Sequence, residues 1–486
     1  MSFGSLSATA VESLNRGAHK AGAYHNTGEG GLSSYHSTGA DVVFQFGTAY
    51  FGVRSNEGNL DLDKLERLVE NNSFVRAIEI KLSQGAKPGK GGVLPSAKIT
   101  VLEARPIPTG TPSPLDTRAS ALNLASQSIL TALDVWSPMA ASAGIIDQIH
   151  VSNQARFGSA VIESTDLGLE ALGFVVENHV IGRALKDRAD ALGIALEAPC
   201  EVQQLLTDQQ QPGVRLVNGE TRRADLVIVA DGSQSSLRQQ LGIDVQWHCT
   251  EQHAVVANVS FAGVQQGIAF ERFTPTGPMA LLPLPDTSVA EQRFNVVWSL
   301  NEARAAQVMA LDSDAFLSQL QAAFGWRLGR ALRVGRRSTW PLNRVRVREQ
   351  RRSGFLIAGN AAHGIHPVAG QGLNLSLRDA ASLGASLKSW SHQGVALGDS
   401  QVLRDYEARV IADQDRIVEA TDRLSTLFQT RGLALDLPRD AALTLLDVLK
   451  PLRRSIAQRG TGLDVLAKPA WAPLFSADES DVQVTG

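Results

Sequence analysis

Gly359-Asn360-Ala361-Ala362-His363-Gly364-Ile365-His366-Pro367-Val368-Ala369-Gly370-Gln371-Gly372-Leu373-Asn374-Leu375-Ser376-Leu377-Arg378-Asp379 decides the fold of most of this chain. The apolar run Phe355-Leu356-Ile357-Ala358 leads into it and has the length of a buried strand. Small residues then let the backbone come close to a flat or charged group. Pro367 stiffens the loop, and Gly370-Gln371-Gly372 opens a helix that continues through Leu377, Ala380 and Leu383. The first N–H groups of a helix lack internal partners and sit at the positive end of its dipole. Strand, glycine loop and helix N-terminus together make a seat for an anionic or electron-rich ring.

A second string agrees with the first. Ala224-Asp225-Leu226-Val227-Ile228-Val229-Ala230-Asp231-Gly232-Ser233 reads as a buried strand ending in Asp-Gly, and Ser235-Ser236-Leu237-Arg238 opens a helix. Taken alone, Asp231-Gly232 is an ordinary turn. At the carboxyl end of a strand in an α/β sheet, it stands where such sheets bind ligands. A reduced flavin, negative near N1 and O2, suits the seat at Gly370.

Together these strings resemble the second FAD-binding motif and the Asp-Gly motif of the flavoprotein aromatic hydroxylases. Asn360, where most relatives carry Asp, matches the ubiquinone-biosynthesis branch. The resemblance extends over residues 101 to about 470. Val101-Leu102-Glu103-Ala104 resembles the end of the second Rossmann strand, and Asp116 to Leu122 a segment whose arginine reaches the flavin. Ile149 to Ser152, Glu271 to Thr274, Gly277 to Pro283 and Phe324 to Gly329 resemble substrate-domain segments.

The resemblance implies a FAD-dependent monooxygenase that hydroxylates a polyprenylated phenol with NAD(P)H and O2. It places Glu103 on the adenosine ribose, Arg118 near the flavin, and Asp231 and Gly232 near the pyrophosphate. Gly359 and Asn360 fall at the ribityl chain, and Pro367 and Val368 line the flavin face. Gly370, Gln371, Gly372 and Leu373 fall at the N1–O2 edge, and Asn374 is a further cofactor-binding residue. No acid–base residue is nominated for oxygen transfer.

The implied fold is α/β: a FAD-binding Rossmann-like domain (101–245 and 345–400) interleaved with a mixed-sheet substrate domain. The latter takes 246–344 and part of 140–175. Helices and a tail follow over 401–486.

The front of the chain departs from this plan. A FAD-binding Rossmann domain begins with a strand, Gly-x-Gly-x-x-Gly and a helix whose N-terminus holds the pyrophosphate. No such segment precedes Glu103. Gly28-Glu29-Gly30-Gly31 has Ser33 in place of the third glycine, and Gly89-Lys90-Gly91-Gly92 has Leu94 there. Met1 to Ser7, Asn26 to Gly31 and Ile78 to Gly92 instead resemble the FMN-binding barrel of glutamate synthase. That likeness marks Ser2, Thr27, Lys81, Gln84 and Lys87 as a vestigial FMN site.

A (β/α)8 barrel needs about 250 residues, so residues 1–100 are at most a barrel fragment and bound FMN is not expected. The chain reads as two flavoprotein segments joined near Lys98 to Val101, the second lacking its first βα unit. Three functions follow: an active hydroxylase, an inert fusion product that binds flavin weakly, or an FMN-dependent glutamate-synthase-like activity.

Composition bounds these readings. The chain has 486 residues, 43% apolar, with a net charge of −3, which argues against disorder and against nucleic acid as a partner. Its two cysteines, Cys200 and Cys249, form no paired motif. The histidines His363 and His366 lack a nearby third ligand, so no metal is expected. With no basic, apolar leader and no run of about eighteen apolar residues, the expected location is cytoplasmic.

Arg344-Val345-Arg346-Val347-Arg348 alternates as a strand with one basic face, and Trp326 and Trp340 read as packing residues. Leu433 to Leu452 is apolar at helical spacing and suits either packing on the flavin domain or rest on the inner membrane surface. Expected partners are the polyprenyl phenol, the membrane surface and other ubiquinone-synthesis enzymes.

Overall fold

The computed structural model describes residues 7–46, 50–55, 60–80, 99–108, 110, 112–154, 156, 158–207, 211–248, 250–263, 265–285, 291–364, 370–392, 395–429, 445 and 449–463. Its largest sheet has eight strands: β7 (Gln148–Asn153), β8 (Ser159–Glu163), β16 (Gln252–Phe261), β17 (Ile268–Thr274), β18 (Gly277–Pro283), β19 (Gln292–Asn301), β20 (Ala331–Val334) and β21 (Ser338–Pro341). The order is β20-β16-β19-β18-β17-β7-β8, with β21 also on β16. Only β7 and β17 run parallel; the other pairs are antiparallel.

Alternation assigns this sheet its two faces. Val255, Val259, Phe261, Phe270, Met279, Leu281, Phe294, Val296, Trp298 and Leu300 share one core with Phe316, Leu320 and Phe324. That face is covered by α7 (Glu302–Ala310) and α8 (Ser313–Phe324). Asn301 and Asp312 cap these helices, accepting from the Arg304 and Ala315 N–H groups.

The part expected to bind the nucleotide is built from short sheets. β4 (Thr100–Leu102) pairs in parallel with β10 (Ala195–Glu197), and β14 (Val227–Val229) with β24 (Phe355–Ile357), which β23 (Arg351–Arg352) flanks. β11 (Val202–Leu206), β12 (Gly213–Leu216) and β13 (Thr221–Arg223) form a meander. β15 (Val245–His248), β22 (Arg344–Val347) and β25 (His363–Gly364) form another sheet, and β5 (Ala119–Asn123), β9 (Gly173–Glu177) and β6 (Ala143–Ile146) a third.

The helices are α3 (Leu124–Ala132), α4 (Trp136–Ala140), α5 (Asn178–Ala191), α6 (Ser236–Gln240), α9 (Gln371–His392), α10 (Ser400–Gln429) and α11 (Lys450–Thr461). The strand expected over Arg344 to Arg348 forms as β22, its valines buried and Arg346 turned to Asp415 on α10. Arg453 of α11 pairs with Asp166 at 2.7 Å, and Ala457 enters the core beneath β9. Most of the apolar stretch expected as a helix before α11, residues 433–444, falls outside the described residues.

The missing first βα unit has a visible consequence. Leu102 of β4 and Val227 and Val229 of β14 belong to one core, yet no hydrogen-bonded ladder joins the two strands among the described residues. Val101 and Ile228, central in their strands, are 45% and 44% exposed. Interior strands of a doubly wound sheet are covered on both faces, so the opening lies where a central strand and its helix belong.

Residues 7–80 form a separate α/β unit. β1 (His25–Asn26), β2 (Val42–Phe46) and β3 (Val75–Ile80) are parallel and in sequential order, with α1 (Ala8–Lys20) before them and α2 (Leu62–Asn71) preceding β3. Val42, Phe44, Phe46, Val53 and Val75 make its core. The sheet is open, and no barrel closes among the described residues. Leu62 and Ile78 stay exposed beside a groove.

Candidate flavin and substrate site

The quoted stretch folds as its small residues require. β24 runs into a single 3-10 turn, Gly359–Ala361, and Gly359 takes φ +58°, a left-handed conformation that favours glycine. Ala358 N–H donates to Val229 O (2.9 Å), tying the turn to β14. Gly370, at φ +60°, stands before α9, where an added Cβ would lie 3.0 Å from Ala121 Cβ. Around Gly232 and Gly372 an added Cβ would meet nothing within 4 Å. The backbone there borders space a ligand can fill, as a flavin seat requires.

Asn374 is buried and its amide is fully committed. Its Oδ1 accepts from Asn123 N–H (2.9 Å) and Ser126 Oγ (2.6 Å), and its Nδ2 donates to Ala121 O (2.9 Å) and Gly370 O (2.8 Å). It therefore bolts the first turn of α9 to β5, so its part in a flavin site is to fix the helix end. Gln371, Gly372 and Leu373 open α9 as expected, with Leu373 packed toward Leu122 and Leu130.

The other expected site residues distribute as follows. Glu103 is exposed just beyond β4, its Oε1 accepting from Arg105 N–H at 2.9 Å. Asp231 follows β14, exposed, and its Oδ2 accepts from Leu237 N–H at 3.4 Å. Gly232 takes φ +97°, and Asn360 is exposed in the turn. Arg118 is also exposed, its guanidinium stacked 5.3 Å over the Trp340 ring.

Pro367 and Val368 lie outside the described residues, as do Ser2, Lys81, Gln84 and Lys87. Thr27 is buried, its hydroxyl accepting from Gln45 N–H (2.9 Å) and facing Gly28 O (3.0 Å). The tryptophans correct the reading above: Trp326 and Trp340 are surface residues, because the turn and edge strand that carry them lie outside the aromatic core.

Several residues escaped the sequence reading. Arg238 is fully buried, donating to Ala361 O (2.6 Å) and Ser233 O (3.1 Å), so it joins the Asp-Gly loop to the Gly359 turn. His363 Nε2 bonds Asp379 Oδ2 at 2.8 Å, and Gln414 Nε2 reaches the same oxygen at 2.8 Å. A histidine and a carboxylate sixteen residues apart carry no local signature.

The sheet face turned away from α7 and α8 looks toward β5, β6 and β9. Ile149, Ala269 and Leu282 pack there with Ile146, Val175 and Ala119. β5, which holds Asn374 and borders Gly370, thus also packs Ala119 on this face. The face carries Glu271, between Val151 of β7 and Ala280 of β18 in register. Burial pushes its carboxyl up to about 7 from an ordinary 4.5.

The raised value sets the sign of a pH effect. The neutral carboxyl favours the fold below pH 4.5, and that contribution is lost as pH rises through about 7. Glu271→Gln is expected to raise stability at about pH 8 by roughly 2–3 kcal/mol and to leave it nearly unchanged at about pH 4. Denaturant melts at the two pH values check this.

Comparisons with known proteins agree with this geometry. The family model for a FAD binding domain matches residues 94–421. The chain belongs to the FAD-dependent aromatic monooxygenases. This monooxygenase is 31% identical to ubiquinone hydroxylase UbiL of Rhodospirillum rubrum over 351 residues, 71% of this chain and 80% of that one. It is 30% identical to 3-demethoxyubiquinol 3-hydroxylase of Escherichia coli, covering 75% and 92% of the two chains.

Among solved structures, p-nitrophenol 4-monooxygenase PnpA from Pseudomonas putida superposes with a TM-score of 0.61 at 18% identity, covering 74% of this chain and 91% of that one, a likeness of fold. A model for a conserved region in glutamate synthase matches residues 1–115, so the two family matches overlap around the junction at Lys98 to Val101.

FAD is the cofactor of this family, and the residues present fit it in part. The left-handed Gly370, the open backbone at Gly372 and the α9 N-terminus suit the isoalloxazine end. Among the described residues, no phosphate-binding turn stands between β4 and β14.

Proposed function

We propose that this monooxygenase hydroxylates a polyprenylated phenol of ubiquinone biosynthesis, with NAD(P)H and O2. The observation that carries the reading is the N-terminus of α9 held at β5, a strand whose Ala119 packs on an apolar face of the large sheet, in a chain whose relatives are ubiquinone hydroxylases. Bound FAD, reduced by NAD(P)H, supplies the activated oxygen. The protein orients and shields that chemistry. N–H groups of the first turn of α9 steady negative charge at the ring edge. Ile149, Ala269 and Leu282, packed against Ile146 and Val175, keep water from the reacting carbon.

A polyprenyl tail also favours a place at the inner membrane surface, where the substrate resides. Among the described residues, no helix is long and apolar enough to cross a membrane.

The test supplies the purified chain with excess FAD, NADH or NADPH, 18O2 and a short-chain prenylated phenol. A product carrying one labelled oxygen is expected. Consumption of NAD(P)H with no oxygenated phenol would defeat the reading. The open β4–β14 edges favour a second reading, an inert fusion product, which predicts no turnover at saturating FAD.

A further inference from the structure

We propose that Glu271 accepts the hydrogen bond, and then the proton, of the substrate's phenol hydroxyl. The inference rests on the hydroxylase reading and assigns that site an acid–base group.

Its basis is position. Along β17, Phe270 and Arg272 point to the α7–α8 side: Phe270 lies in that core, and Arg272 Nε donates to Ala323 O on α8. Glu271 therefore points to the opposite face, with Ala269 before it and Phe273 after it. Across the strands it meets Val151 and Ala280, with Ile149 and Leu282 one step further along the same face. β6, also packed on β17, reads Ala143-Gly144-Ile145-Ile146 and brings no titratable group.

His150 belongs to the other face, its ring 5.8 Å from Phe270. The charged groups that share Glu271's face are distant or engaged. Asp147 stands against Gly267 before β17 begins, and Arg293, two strands away on β19, is held by Glu177. No hydrogen bond or ion pair holds the Glu271 carboxyl among the described residues.

Glu271 is part-buried among apolar side chains, and its carboxyl, unpartnered among the described residues, is free to meet a polar group of a ligand. The ligand expected at this face brings one polar group, a phenol O–H. Burial leaves Glu271 titrating near neutrality, which suits a base working at ordinary pH. The step is a proton transfer only. The phenol O–H bond breaks, a Glu271 O–H bond forms, and the electron pair stays on the phenol oxygen, from which it enriches the ring carbons that receive oxygen.

The test is calorimetric binding to the full chain without added FAD. The probes are 2-hexylphenol and its O-methyl ether, at about pH 6 and about pH 8. Wild type is expected to bind the phenol more tightly at the higher pH. Glu271→Gln should bind it about tenfold to a hundredfold more weakly there, with little pH dependence. Glu271→Asp should keep the pH dependence, and the ether should bind alike to all three proteins at both pH values.

Equal phenol binding by wild type and Glu271→Gln overturns the inference and leaves the hydroxylase reading intact. Equal loss of phenol and ether binding in the Gln variant assigns Glu271 to structure alone and overturns it too. Failure of wild type to bind either probe removes both readings.

Discussion

Purified as it stands, this monooxygenase is expected to hold FAD on the order of a thousandfold more weakly than a relative with a complete nucleotide fold. The phosphate-binding turn of a Rossmann unit presents backbone N–H groups to the pyrophosphate, and each such charge-assisted bond contributes roughly 1.5–3 kcal/mol. Two or three of them are absent from the sequence before Glu103. What remains is Asp231-Gly232, the Gly359 turn expected at the ribityl chain, and the α9 N-terminus expected at the isoalloxazine end. The visible spectrum of the purified protein measures occupancy, and denaturation releases any nucleotide for identification. One tightly held FAD per chain would refute the expectation, and released FMN would revive the glutamate-synthase-like reading.

The structure gives this loss a second cause. Val101 and Ile228 are uncovered at the middle of β4 and β14, and among the described residues each strand has a hydrogen-bonded neighbour on one side only. Unpaired edges frustrate backbone hydrogen bonding and invite pairing with other chains. The resemblance puts Glu103 and Asp231 at the nucleotide, and these strands are the parts that hold them. Weak binding and the absent strand are thus one defect seen at two scales.

Legibility in the sequence followed sequence distance. The strand–glycine–helix passage was readable because its parts are contiguous, and Gly359 and Gly370 take the left-handed conformations that their type suggests. The Arg344 to Val347 strand was readable from alternation alone. Arg238 was not, since its partners are Ser233 and the remote Ala361. Asn374 was legible as a site residue, but its commitment to Ala121, Asn123 and Ser126 depends on contacts about 250 residues away. Glu271 sat inside a recognised strand. Its direction became readable only once α7 and α8 were seen to cover the Phe270 side, because period two divides a strand into faces without saying which face is buried.

Glu177→Ala is expected to cost about 3–5 kcal/mol of stability, since it strips a buried cation of its partner. Glu177 ends β9, and its Oε1 accepts from Arg293 (3.1 Å) and from Thr117 Oγ1 (2.6 Å). The side chains of Arg293 and Glu177 are only 6% and 12% exposed. Arg293 also donates to Pro114 O (2.7 Å) and Pro285 O (2.8 Å), and Asn258 Nδ2 reaches Thr117 O at 2.9 Å. This network joins the Pro114–Thr117 segment and β9 to β16 and β19, so it fixes the large sheet against β9. Removing the carboxylate leaves a buried guanidinium with carbonyl acceptors but no counter-charge. Removing both charges removes that penalty. Glu177→Ala with Arg293→Met should therefore be less damaging than the two single losses added together. Denaturant midpoints of the two single variants and the double variant decide it. A strictly additive double, or a single loss under about 1 kcal/mol, would make the pair an ordinary surface contact and free the sheet from this anchor.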